Sequence, residues 1–267
     1  MKSRVLIVKG NDVSSMIKRG LELIQPERPE SKIVIKPHVR NLNPYPENIP
    51  SSTIEPVISF FRRFGKGILV AEASIGVETA KAYKIHKYLE IARKYGILLI
   101  DLNKDLRYEV TMVGSLVLGK ASLPRTLRNS YIISVTSVCE TTEGICLTMG
   151  NMLSVLVEEK WVYHGKHYHE YIVDINSYLK PKLGIIDMRR IRVGDEEREL
   201  NTVVISKDLV AADFVAIKLA NLNPDDFRYL YLAEKFGIGT MRLDQICLLY
   251  TSPSPRDLST SRMPSSA

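Results

Sequence analysis

Lys36, His38, Arg40, Asn41 and Asn43 follow directly on the β-branched run Ile33-Val34-Ile35. A lysine at the end of a buried strand carries a compact charge on a flexible stem, and an arginine and two amides just beyond it add further donors. Donors of this kind suit a carboxylate or a phosphate. Thr53 reads as the N-cap of the next helix, whose unsatisfied N–H groups would aim at the same place. The expectation is an anion site built from Lys36, His38, Arg40, Asn43 and Thr53, with Lys36 and His38 as candidate catalytic groups. The competing reading is a solvated loop in which Lys36 only forms a salt bridge.

Further polar residues stand where other strands would end: Glu72, Ser74, Asp101, Asn103, Asp187, Ser206 and Asp208. On a parallel sheet they would share an edge with Lys36, as an acid/base group (Asp101 is the third catalytic candidate) or as oxygen ligands for Mg²⁺. Asp208 also reads as an N-cap. Asp213, flanked by Ala212 and Phe214 inside a helix, must find a donor if buried, and Lys36 or Arg189 is the expected partner. His164-x-x-His167-x-His169 could bind zinc with Cys139 or Cys146. On a continuous helix, however, His169 leaves the face shared by the other two. An aromatic loop covering the crevice, with no metal, is the preferred reading. Gly76, Gly144 and Gly150 form neither dinucleotide nor P-loop signatures, and no nucleophile elbow occurs.

These residues must be positioned by the elements between them. Apolar strands at Arg4–Lys9, Ile33–Ile35, Gly67–Glu72 and Ile97–Asp101 alternate with helical periodicity at Val13–Ile24, Thr53–Phe64, Glu78–Tyr83 and His86–Tyr95. Such alternation predicts crossover βαβ units and an α/β fold, a predominantly parallel sheet with helices on both faces. Tyr108–Met112 and Leu116–Leu118 read as a small antiparallel excursion, and Leu123–Leu127 as a short helix. Strands at Tyr131–Thr136, Leu183–Asp187 and Thr202–Ser206 follow, with a charged loop or hairpin at Arg190–Leu200. Helices are expected from Asn151 onward and at Ile172–Leu179, Leu209–Ala220 and Pro224–Phe236.

The chain has 267 residues and a formal charge of +7. Its last 21 residues, Cys247–Ala267, turn Ser/Pro-rich with no apolar period and read as translated sequencing-adapter text from a metagenomic fragment. On that reading residues 1–246 are one C-terminally truncated α/β domain, and 247–267 are an extraneous disordered tail without packed contacts. Removing the tail leaves +6. No long basic block appears, so nucleic acid is not the expected partner; the mild positive charge fits an anionic small molecule. No apolar run reaches membrane-spanning length and no signal peptide is evident, which gives a cytoplasmic expectation without membrane association. Homo-oligomer formation is left open, and no cofactor can be named.

Several stretches resemble the domain-of-unknown-function 362 family. They are Lys36-Pro37-His38, Pro44-Tyr45-Pro46, Thr53-Ile54-Glu55-Pro56-Val57, Asp101-Leu102-Asn103, Leu123-Pro124, Ser206 to Asp213 and Leu222 to Gly239. His38 stands where that family usually has Asn, and Leu209 where it has Pro. Ser137–Thr142 replaces a Lys-x-Lys-x-His segment. Many relatives carry a ferredoxin-like cysteine cluster, but this chain has too few thiols for one, so no iron–sulfur cluster is expected. The resemblance implies an uncharacterised protein that binds, and could transform, an anionic metabolite. Its alternatives are a redox-partner module lacking its own cluster and a non-catalytic scaffold subunit.

Overall fold

The computed structural model describes residues 2–141, 144–156 and 165–252. The first half contains β1 (Ser3–Lys9), α1 (Val13–Ile24), β2 (Ile33–Pro37), α2 (Ser51–Phe61), β3 (Ile68–Glu72), α3 (Thr79–Ile85), α4 (Tyr88–Tyr95), β4 (Leu98–Asp101), β5 (Arg107–Thr111) and β6 (Lys120–Pro124). The second half contains β7 (Tyr131–Thr141), β8 (Gly144–Ile145), α5 (Tyr168–Leu179), β9 (Leu183–Val193), β10 (Glu196–Ser206), α6 (Leu209–Leu219), α7 (Arg228–Lys235) and β11 (Ile246–Thr251).

The main sheet has the order β11-β1-β10-β9-β7-β2-β3-β4, with β8 paired onto β7. Strands β9, β7, β2, β3 and β4 run parallel to one another, while β10 runs against both of its neighbours. The fold is therefore α/β with a mostly parallel sheet, and β5–β6 form a separate antiparallel pair. The apolar strand runs bury both sheet faces. One carries the side chains of α1, α2 and α4; the other carries α5, α6, α7 and the 3-10 turn at Gly150–Val155.

Local sequence explains the main elements. In α1 the residues Val13, Met16, Ile17, Leu21 and Ile24 recur at helical spacing on the buried side, and Asp12 caps the helix by accepting from Ser15 N at 2.8 Å. Gly20 lets this helix approach the sheet, because a Cβ there would stand 2.5 Å from Ile205 Cδ1. Helix α6 is apolar on every side, and it is buried from Leu209 through Ile217.

Three expectations change. The second arm of the excursion is Lys120–Pro124, not Leu116–Leu118, so Leu123 and Pro124 are strand and only Arg125–Leu127 form a 3-10 turn. The segment from Asn151 is a 3-10 turn rather than an α-helix. Residues 247–251 are not free of packing: β11 pairs in parallel with β1, from Ser3 opposite Ile246 to Val8 opposite Thr251. Ile246, Leu248, Leu249 and Tyr250 give it strand character, and β1 would otherwise offer an unpaired edge. The tail from residue 253 onward lies outside the described residues.

From β2 the chain builds outward through β3 and β4, then returns to lay β7 on the other side of β2. Strand order reverses between β2 and β7. In an open parallel sheet that reversal opens a crevice beyond the strand carboxyl ends, where ligands bind.

Candidate functional site

All of β2 is buried. Side chains alternate along it, so Lys36 shares a face with Val34, and the Gly150–Val155 turn covers that face. Lys36 is 0% exposed, and its Nζ donates to Glu72 Oε1 at 2.6 Å and to Asn151 Oδ1 at 3.1 Å. Lys36 is thus an interior residue whose charge meets a carboxylate and not solvent. Glu72 ends the neighbouring strand β3 and neutralises it. Glu72 also accepts from Val39 N at 3.2 Å, Ala73 N at 2.7 Å and Ser154 Oγ at 3.1 Å. Asn151 completes the cluster by donating to Lys36 O at 3.0 Å and Ser134 Oγ at 3.1 Å.

His38 and Arg40 follow as the chain leaves the sheet, each nearly buried. Burial, reinforced by the Lys36 and Arg40 charges, pushes the His38 imidazole down to about 3, against a smaller opposing effect of Asn151. His38 is therefore a neutral ring at neutral pH and brings no cationic charge to an anion.

The loop after Arg40 is organised from within. Asn48 Oδ1 accepts from Arg40 N at 2.7 Å and Asn41 N at 3.2 Å, while its Nδ2 donates to Asn41 Oδ1 and Asn43 O. The Asn43 amide donates to both Glu47 oxygens at 2.9 Å, and Arg192 Nη2 meets Glu47 at 2.6 Å. The Asn43 amide nitrogen is thus bonded within this loop. Thr53 differs from expectation too: Pro50 occupies the N-cap position of α2, and Thr53 Oγ1 donates to Asp187 Oδ2 at 2.8 Å. The Ser51 N–H at that helix end is directed to His86 O at 3.3 Å.

A cavity of about 20 Å³ lies at the strand reversal, lined among others by His38, Arg40, Glu72, Asn151, Ser154 and Tyr168. Cys146 also lines it, and burial holds its thiol up at about 12, so it is neutral there. The volume admits a single ordered water or the head of one small polar group.

The other expected residues spread around this point. Asp101 accepts from Thr79 Oγ1 at 2.8 Å and Asn103 N at 3.0 Å. Asn103 donates to Ser74 O at 3.0 Å, and Ser74 Oγ donates to Val39 O at 2.6 Å. These three stabilise the turns after β3 and β4. Asp187 sits in a bidentate pair with Arg189 at 2.8–3.3 Å and accepts from Tyr45 OH at 3.0 Å.

Ser206 and Asp208 do not join the crevice. Because β10 is antiparallel, the chain leaves Ser206 toward the opposite edge, where Asp208 accepts from Ser3 Oγ at 2.6 Å and Thr240 N at 3.1 Å. Asp208 caps α6 through Ala211 N at 3.0 Å. Asp213 pairs with neither Lys36 nor Arg189. It accepts from Thr148 Oγ1 at 2.5 Å, from Thr148 N and Met149 N, and from Tyr229 OH at 3.0 Å. Burial raises Asp213 to about 6 against the pull of those donors.

His164 lies outside the described residues. His167 precedes α5 and His169 lies in its first turn, where its ring stacks on Tyr229 at 6.2 Å; the expected loop is helix from Tyr168 onward. Pattern reading missed Asn151, Ser154 and Asn48. The first is separated from Lys36 by 115 residues, and no local signal ties the two.

No curated protein and no solved structure matched the chain. A family model did, over residues 33–218, from the first residue of β2 almost to the end of α6. That span includes Lys36, Glu72 and Asn151 and covers most of the sequence, so the chain belongs to the family described as Domain of unknown function (DUF362).

Proposed function

We propose that this protein binds an anionic small metabolite at the strand reversal between β2 and β7, in the cavity that Arg40 helps to line. The observation carrying this reading is the convergence of His38, Arg40, Glu72, Asn151 and Ser154 on one cavity at the fold's natural crevice. Lys36 is matched by Glu72, and Arg40 places a second basic side chain on the cavity wall. A carboxylate or phosphate oxygen entering there would displace water, with the Ser154 hydroxyl as an additional polar contact. No reaction is assigned.

The size of the cavity favours one rival, a non-catalytic scaffold subunit whose crevice has closed. Calorimetric titration with acetate and with inorganic phosphate separates the two. The anion reading expects saturable binding to the wild-type chain, and a loss of ~1.5–3 kcal/mol in Arg40→Met, the range for hydrogen bonds to charged groups. No binding by the folded wild-type chain would favour the scaffold.

A further inference from the structure

At the other end of the parallel strands, where β9 begins, lies a larger cavity of about 410 Å³. Three connections meet there. Lys180 and Pro181 lead from α5 into β9, Lys207 leads from β10 into α6, and Phe236 to Ile238 follow α7. The volume falls in the ~300–1,000 Å³ range of small-molecule sites. We infer that this cavity is a second ligand site, separate from the crevice, for a small hydroxy carboxylic acid with an apolar body.

The polar anchor is Asn176, a lining residue only 2% exposed. Its Nδ2 donates to Met149 O at 2.9 Å and to Ile172 O at 2.7 Å. Those bonds fix the amide, because turning it over would set its oxygen against two carbonyls. Oδ1 is left buried without a partner among the described residues. A buried orphan acceptor calls for a donor, and a ligand hydroxyl supplies one. The charge comes from Lys180 and Lys207, which make no ion pair with a described residue. No carboxylate is among the described lining residues. Lys180 suits the negative end of α5, but Lys207 stands just ahead of α6, where the helix end is positive and an unpaired cation is disfavoured. An acid group bound there relieves that repulsion. The carboxylate of Asp208 is occupied by Ser3 Oγ, Thr240 N and Ala211 N, and Asp208 does not line the cavity. Met149 and Leu209 add buried apolar wall, and the Phe236 ring, 41% exposed, offers a surface for the body of the ligand.

The test is calorimetry on the full chain with three probes that share one body: mandelate, phenylacetate, which lacks the hydroxyl, and methyl mandelate, which lacks the charge. Mandelate should bind about fivefold tighter than phenylacetate, for the one hydrogen bond, and about tenfold tighter than its ester. Lys180→Gln/Lys207→Gln, a change at two exposed positions, should weaken both acids about tenfold and leave the ester unaffected. Because the hydroxyl is varied in the probe, the buried Asn176 need not be altered. Mandelate that fails to bind, binds no tighter than phenylacetate, or keeps its affinity in the lysine variant overturns the inference. None of these outcomes bears on the crevice, whose own test is acetate with Arg40→Met.

Discussion

Lys36 and Glu72 stand 2.6 Å apart with side chains 0% and 2% exposed. Both are withdrawn from bulk water, so each is the other's main source of charge stabilisation. Removing one partner strands the other in the interior, whereas removing both charges leaves only shape and hydrogen bonds to repair. Lys36→Met should therefore cost about 3–5 kcal/mol in denaturant unfolding. The double variant Lys36→Met/Glu72→Gln should recover much of that loss, since Gln keeps an oxygen for Val39 N and Ala73 N. Strictly additive single effects would show that the pair is not coupled. His38 supplies the pH signature. Its folded value of about 3 lies below the 6.5 of the free side chain, so between those values the unfolded chain holds more protons. Stability contributed by the neutral ring is full above pH 6.5 and falls as pH drops, by up to about 1.4 kcal/mol per unit. Asp213 acts with the opposite sign between 3.8 and about 6, since the folded state takes its proton first and gains stability as pH falls. His38→Asn should flatten the acid limb, read as unfolding free energy at successive pH values. An unchanged slope would mean that His38 is not buried neutral.

At the scale of elements, the strands and helices of the βαβ half were legible because their periods are clean and their ends carry recognisable residues, such as Asp12 before α1 and Gly96 after α4. What could not be read was direction and depth. Thr202–Ser206 is a plain apolar strand in either orientation, and only the β9–β10 hairpin makes it antiparallel, which takes Asp208 away from the crevice. Lys36 was legible as a strand-end residue but not as a buried one, because its cover is a 3-10 turn more than 100 residues away. That turn has too short a period to announce itself. Thr53 was misplaced by the same locality: a good capping residue in sequence, it is drawn instead to Asp187 on β9.

For the molecule as a whole, the central claim is that one strand reversal organises the site. The residues that line it come from just beyond β2, from the end of β3, from β8, the 150–155 turn and the start of α5, so the crevice exists only in the complete fold. The most direct measurement is a crystal structure of the full chain grown with a saturating carboxylate such as acetate. The account predicts the anion in the cavity beside His38 and Ser154, with an oxygen within hydrogen-bond reach of the Arg40 guanidinium and the Lys36–Glu72 pair intact. Carboxylate bound elsewhere on the chain, with only water beside Arg40, would contradict it.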